Sequence, residues 1–344
     1  MAGGTIAALT KIGIISEEMA QPRTMSGVMR AVFSAIAVTY SCFFIYVAFF
    51  GPPVEEVFRG TFFISVAVMS LLLFRGRQRS PREGFVWLDE LFSFANLVML
   101  CGAFAMLAYW LLGTQEAKWY RFYDGGVLAA AIAGGAVGAG VYLFEAFRIG
   151  RTDKFAISDL LFLIGVVISV LWWIENVQML RERSGAAVPS LLFIYSIMLV
   201  AVSFEIARRI IGPLIPLLGL LFFIYSFEDV AQVMPGVLYY PGYDAETVME
   251  FLMASTEGMF GLITNVFATF IVIFVILGAF LEKTGLGAVI INSAYRLTGA
   301  RTGGPGLAAV MSSGFFGMIS GSGVANVMTT GTFTIPLMKR VGYR

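Results

Sequence analysis

Long apolar runs, poor in charge and bounded by charged residues, constrain the fold of this chain more than any other feature. About 20 apolar residues can cross a bilayer as an α-helix, because a helix satisfies its own backbone hydrogen bonds in lipid. The chain has about eight such runs by this criterion, and we predict an all-α integral membrane protein. The predicted spans are residues 27–50, 61–74, 88–112, 125–147, 158–180, 188–207, 210–227 and 262–281.

Composition excludes several function classes. Of the 344 residues, 58% are apolar and 13% are charged, whereas soluble domains have about half and about a quarter. The net charge is +1, with no long run of one sign, so no nucleic-acid partner is indicated. The sequence has no histidine, the commonest general base and metal ligand. Cys42 and Cys101 both lie inside apolar runs and predict neither disulfides nor a thiolate metal site.

The distribution of arginine predicts the orientation in the membrane. Basic residues follow the second, fourth and sixth runs, whereas the opposite loops are mixed or acidic. Since basic loops stay in the cytoplasm, we expect a cytoplasmic N-terminus and a multi-pass location in a bacterial or archaeal inner membrane. The basic residues are Arg75, Arg77, Arg79, Arg82, Arg148, Arg151, Lys154, Arg208 and Arg209.

Acidic residues within the spans lie close to their ends, at Asp89, Glu145, Asp159, Glu175 and Glu205. A charge at such a position is typical of interface anchoring or of ion pairing. Glu205 can pair with either arginine of the adjacent Arg208–Arg209 pair at helical spacing. A proton relay through buried carboxylates is therefore poorly supported.

A weak internal sequence repeat suggests the domain organisation. Asp89 is followed by residues 144–148 much as Asp159 is followed by residues 204–208, which a duplicated two-helix hairpin would explain. We interpret residues 1–209 as a helical membrane scaffold. We interpret residues 210–344 as a different module.

The segment from Gly314 to Gly331 is apolar but rich in glycine, serine and threonine. Its glycines weaken a continuous helix, and we predict a break at Ser320–Gly323. Freed carbonyl and hydroxyl oxygens suit a small cation, and a helix N-terminus suits an anionic substrate. The alternative is a tightly packed helix whose small residues form only a contact surface.

Basic residues flank this segment on both sides, which predicts that residues 304–336 enter and leave the membrane on the cytoplasmic face as a re-entrant helical hairpin. These flanking residues are Arg296, Arg301, Lys339, Arg340 and Arg344.

Enzyme motifs are incomplete. Ser320 and Ser322 do not complete a G-x-S-x-G elbow, and the sequence offers no histidine base. The G-x-G at residues 321–323 lacks a third glycine and follows no strand. We predict no enzymatic activity, no catalytic residue and no bound cofactor.

Four segments carry a family resemblance, namely Glu257–Gly261, Gly278–Gly285, Ile319–Val327 and Thr329–Lys339. Their sequences, EGMFG, GAFLEKTG, ISGSGVANV and TTGTFTIPLMK, closely resemble fused permeases of tripartite ATP-independent periplasmic (TRAP) transporters of the TAXI type. The resemblance is dense over residues 205–344 and loose before them.

The resemblance implies a fixed scaffold, an elevator-like transport domain and symport with sodium or protons. It also implies a periplasmic solute-binding protein that delivers a small organic anion. The residues implied for the ion and substrate site are Ser320, Gly321, Ser322 and Asn326, with Thr329 and Thr330 nearby. A sodium site would take Ser320, Ser322 and Asn326.

Such permeases continue through further spans and a second hairpin beyond this motif. We therefore expect the chain to be an N-terminal portion that ends after the first hairpin, with the remaining C-terminal part as a partner. The alternative function is a channel-like or structural membrane subunit without coupled transport.

Overall fold

The computed structural model describes residues 23, 25, 27–76, 86–112, 125–148, 155–182, 190–255, 257–298 and 303–320, and short stretches between 330 and 343. The helices are α1 (Gly27–Phe50), α2 (Glu55–Leu73), α3 (Val86–Leu112), α4 (Gly125–Arg148), α5 (Ile157–Glu182), α6 (Ser190–Ile211), α7 (Leu214–Tyr225), α8 (Glu228–Ala231), α9 (Ala245–Ala254), α10 (Leu262–Val266), α11 (Val272–Lys283), α12 (Leu286–Thr298) and α13 (Gly304–Ser320). A 3-10 turn covers Gly236–Leu238, and a π-helical turn at Phe267–Ile271 joins α10 to α11.

Within the described ranges, seven helices are long and apolar enough to cross a membrane. They are α1 to α6 and the run Leu262–Phe280, which α10, the π-helical turn and α11 form together. The all-helical membrane class is therefore confirmed. The second span begins at Glu55 rather than at residue 61, because Arg59 is paired with Glu55 one turn earlier and does not interrupt the helix.

The predicted span at residues 210–227 does not form as a spanning helix. Gly212 ends α6 with a φ of +94° and donates its N–H to the Arg208 carbonyl at 2.9 Å. Pro213 then starts a helix of only 12 residues, about 18 Å long against a hydrocarbon core of about 30 Å. Helices commonly end at a glycine and begin at a proline. Here Gly212 and Pro213 divide the apolar run into two helices, although its hydropathy is continuous.

Contacts divide the chain into two compact units. The first comprises Met1–Tyr40 and Pro53–Thr264, and the second comprises Ser41–Pro52 and Asn265–Arg344. The division into a scaffold at residues 1–209 and a second module at 210–344 rests on sequence character and stays a prediction.

Small residues let α3 and α4 approach closely within the first unit. A Cβ at Gly134 would collide with the Cys101 carbonyl oxygen, and one at Gly138 would lie 3.0 Å from the Leu97 carbonyl oxygen. Gly134 and Gly138, four residues apart on α4, are thus part of a helix-packing surface.

Substituting Gly134 by valine should destabilise the first unit by about 1–3 kcal/mol, because the new side chain has no space beside α3. Gly140, on the same helix, has nothing within 4 Å of the position of a Cβ. Gly140→Val is the matched control, and thermal unfolding in detergent should separate the two variants. Equal melting temperatures would show that α3 and α4 do not pack through this stripe.

The EGMFG segment is fixed against the helices of the first unit. Phe260 is 1% exposed and stacks on Trp173 with ring centroids 3.9 Å apart, while Arg59 donates to its carbonyl oxygen at 3.0 Å. Trp173 in turn donates its Nε1–H to the Met253 carbonyl at 2.6 Å. Any side chain at Gly258 would collide with the carbonyl oxygens that end α9. This segment of the family pattern therefore has a structural role.

Candidate functional site

Helix α13 forms the first arm of the predicted hairpin. It starts after Gly303, which has a φ of +77°, and carries Pro305 in its first turn, where a missing N–H breaks no helical hydrogen bond. It extends to Ser320, the first residue of the predicted break.

Most of the predicted binding residues lie outside the described residues. These are Gly321, Ser322, Asn326 and Thr329, together with the side chain of Ser320. Their assignment to an ion site stays a prediction, as does the re-entrant path of the chain.

Two hydroxyl groups on either side of the predicted loop along the chain, those of Ser312 and Thr334, are buried and donate to backbone carbonyls. Ser312 is fully buried and donates to the Ala308 carbonyl at 2.7 Å. Thr330, one of the predicted site residues, is 5% exposed, and its carbonyl oxygen accepts the Thr334 hydroxyl at 2.8 Å. Hydroxyls that donate to their own helix keep a lone pair, so they can still offer an oxygen to a cation.

The π-helical turn at Phe267–Ile271 is a feature that sequence reasoning missed. It interrupts a long apolar helix, and the Thr269 hydroxyl inside it donates to the Asn265 carbonyl. Such turns recur at functional sites. The sequence signal for this turn is the pair Asn265 and Thr269, two polar residues one helical turn apart in an otherwise apolar run.

A buried charge network lies where α6 ends. Glu205 is fully buried and accepts hydrogen bonds from Arg208 Nη2 at 2.7 Å and from Arg209 Nε at 2.8 Å. The predicted pairing of Glu205 with its neighbouring arginines is confirmed, and the carboxylate bonds both of them. Its complete burial was not predicted.

Two aspartates from the starts of other helices complete the network. Asp159, in the first turn of α5, accepts Arg209 Nη1 at 2.6 Å and Arg23 Nη2 at 2.8 Å. Asp89, in the first turn of α3, accepts Arg208 Nη1 at 2.8 Å. Acidic groups at helix N-termini and basic groups at a helix C-terminus also complement the helix dipoles.

The network balances three carboxylates, Asp89, Asp159 and Glu205, with three guanidinium groups, Arg23, Arg208 and Arg209. Each carboxylate in this set has an arginine partner, and this pairing offsets the desolvation cost of burying the charges. The arrangement joins α3, α5 and α6 and has a structural role.

Glu145 acts differently from its sequence counterpart Glu205. It is 9% exposed and accepts the Ser158 N–H at 2.7 Å and the Ser158 hydroxyl at 2.8 Å, which places it at the start of α5. Among the described residues, no three acidic or cysteine side chains converge as a metal site.

Comparison with known proteins relates the C-terminal part of the chain to one family. Residues 197–344 match the family described as "Tripartite ATP-independent periplasmic transporter, DctM component". This region contains α7 to α13 and the whole predicted hairpin.

A 70-residue stretch is 41% identical to the "Isethionate TRAP transporter permease protein DctMQ" of Oleidesulfovibrio alaskensis. The alignment covers 20% of this chain and 11% of that protein. No solved structure matches the chain. The resemblance to TRAP-transporter permeases is thus confirmed for the C-terminal part, and the similarity is to transporters rather than to enzymes.

Proposed function

We propose that this chain is the membrane permease component of an ion-gradient-coupled secondary transporter of the TRAP type. It imports a small organic anion that a periplasmic solute-binding protein delivers. The observation that carries the proposal is the match of residues 197–344 to the DctM component, within a chain that has seven candidate membrane spans.

The proposed ion site lies in the hairpin loop after α13. The last turn of a helix presents unpaired carbonyl oxygens and the negative end of its dipole, which favours a cation at Ser320. The hydroxyls of Ser320 and Ser322 and the amide of Asn326 supply neutral oxygens that suit sodium. Gly321 lets the backbone turn.

Thr329 and Thr330 follow this loop and contribute further hydroxyl groups to the proposed site. The coupling ion is sodium or a proton. In transporters built from inverted repeats, the substrate lies between two repeats. We propose that this hairpin supplies one side of such a site, and that a further C-terminal part of the permease supplies the other.

Finer assignments rest on the family pattern. The four segments that carry the resemblance favour the TAXI subtype and elevator-like movement of the C-terminal module. The basic residues on both sides of residues 304–336 favour a re-entrant hairpin that opens to the cytoplasm. For the substrate, the matched relative is named for isethionate, which is a small organic anion.

Uptake into proteoliposomes tests this function against a channel-like or structural subunit. The permease is reconstituted with its further C-terminal part, and the solute-binding protein is added outside. Uptake should saturate with substrate and should stop when the binding protein is omitted. Flux that rises linearly with substrate and ignores the binding protein would favour the channel.

A further inference from the structure

Residues 228–242 form a closed loop, which we call the Ω-loop, between α7 and α9. Its ends meet at a β-bridge between Phe227 and Tyr243, where Glu228 donates its N–H to the Tyr243 carbonyl at 2.9 Å. Gly242, with a φ of +73°, is required at the base because a Cβ there would collide with the Glu228 backbone. Compact loops with adjoining ends are frequently functional.

The Ω-loop is held in one conformation by side chains of the loop and of the end of α7. Tyr225 donates its hydroxyl to the Leu238 carbonyl, and Tyr240 donates to the Ser226 carbonyl at 2.9 Å. Gln232 donates to the Pro241 carbonyl at 3.1 Å. The loop therefore keeps its shape without a partner.

Despite this order, the tip of the Ω-loop is apolar and exposed. Val237 is 104% exposed and Val233 is 79% exposed, while Leu238 and Tyr239 are each 59% exposed. An ordered apolar tip can bind with little further loss of conformational entropy. Exposed apolar clusters of this kind mark interaction sites.

The charge around the tip has a single sign. Residues 210–282 contain no lysine or arginine, and Glu228, Asp229 and Asp244 at the base of the loop are exposed. Inserting the tip into a membrane would bring these carboxylates against the lipid headgroups. A protein surface with an apolar pocket and a basic rim fits the loop better.

The Ω-loop also lies away from the arginine-rich end of α6, which the basic-loop rule predicts to be the cytoplasmic end. Helix α7 runs back along α6, with the Gly219 Cβ position 3.4 Å from the Phe204 ring. After the loop, the Met249 carbonyl of α9 accepts the Ser196 hydroxyl at 3.5 Å. Ser196 is about 18 Å along α6 from Arg208 at 1.5 Å per residue.

We propose that the Ω-loop is a docking site for the periplasmic solute-binding protein, which would receive the valine–leucine–tyrosine tip in an apolar pocket rimmed by lysine and arginine. The partner's existence rests on the proposed function, whereas the location rests on the geometry of the loop.

Kinetics of the reconstituted permease test the tip. The double variant Val237→Ser with Leu238→Ser should raise the concentration of binding protein needed for half-maximal uptake by about tenfold, with the same maximal rate. Val28, which is 80% exposed in α1, provides the control Val28→Ser. An unchanged half-maximal concentration in the double variant refutes the docking site.

Two further experiments test the docking site independently, one through its charge and one through the accessibility of its tip. Glu228→Gln with Asp229→Asn should weaken docking several-fold at low salt and little at high salt.

In a variant whose only cysteine replaces Val237, a water-soluble maleimide should react, and the binding protein should slow the reaction. Protection without the binding protein would overturn the proposal, since lipid or another part of the permease would then cover the tip.

The wild type separates this proposal from the proposed function. If the wild-type permease takes up substrate and the loop variants match it, only the docking site fails. Should the wild type show no uptake at any concentration of binding protein, and no protection of position 237, both proposals fail.

Discussion

Replacing Glu205 by alanine is expected to destabilise the first unit by about 3–5 kcal/mol, because it removes one partner of a buried ion network. The carboxylate is fully buried and bonds both Arg208 and Arg209. Its removal leaves two buried guanidinium groups short of negative charge. Asp89 would retain Arg208, and Asp159 would retain Arg23 and Arg209, so two carboxylates would face three guanidinium groups.

Equilibrium unfolding in detergent measures this effect. Glu205→Gln, which keeps an acceptor but loses the charge, should fall between the wild type and Glu205→Ala. Glu175 is exposed on α5, so Glu175→Ala serves as the control. A loss below about 1 kcal/mol in Glu205→Ala would mean that the network is solvated like a surface ion pair.

The second large effect is expected at the proposed ion site. Asn326→Ala should raise the ion concentration required for half-maximal uptake by about tenfold or more, because loss of one oxygen ligand removes at least about 1.4 kcal/mol of binding free energy. Ser322→Ala should act in the same direction. Neither substitution should reduce insertion into the membrane.

Asn292 allows a matched control for this prediction. It is exposed on α12, so Asn292→Ala should leave ion dependence as it is in the wild type. Sodium and pH are varied separately, which identifies the coupling ion. Unchanged ion dependence in both Asn326→Ala and Ser322→Ala would remove the ligand assignment.

Local patterns predicted much of the fold. The apolar runs gave the membrane class and most of the spanning helices, because hydropathy over about 20 residues is a local property of the chain. The four-residue spacing of Gly134 and Gly138 is likewise a local pattern that is typical of a helix-packing surface. The predicted span at residues 210–227 was wrong because Gly212 and Pro213 divide the apolar run between two helices.

Long-range contacts were harder to predict. Glu205 and its arginines are three and four residues apart, which the sequence makes visible. The partners that bury this cluster are distant, since Arg208 and Asp89 are separated by 119 residues and Arg23 and Asp159 by 136. No periodicity identifies such pairs. The burial of the network therefore emerges only from the fold.

For the hairpin, the assignment of the break and of the ion ligands rests mostly on the sequence. Helix α13 extends to Ser320, where the glycine pattern places the break. Thr330 is buried, which fits a position next to an enclosed loop. The identities of Ser322 and Asn326 as ligands still come from the residue pattern and await the ion-dependence measurements.

Accumulation of substrate inside proteoliposomes addresses gradient-coupled transport most directly. With an inward sodium or proton gradient and the binding protein outside, the internal concentration of substrate should rise above the external concentration. It should fall back when an ionophore collapses the gradient. An internal concentration that never exceeds the external one, and that does not respond to the ionophore, would contradict secondary active transport by this permease.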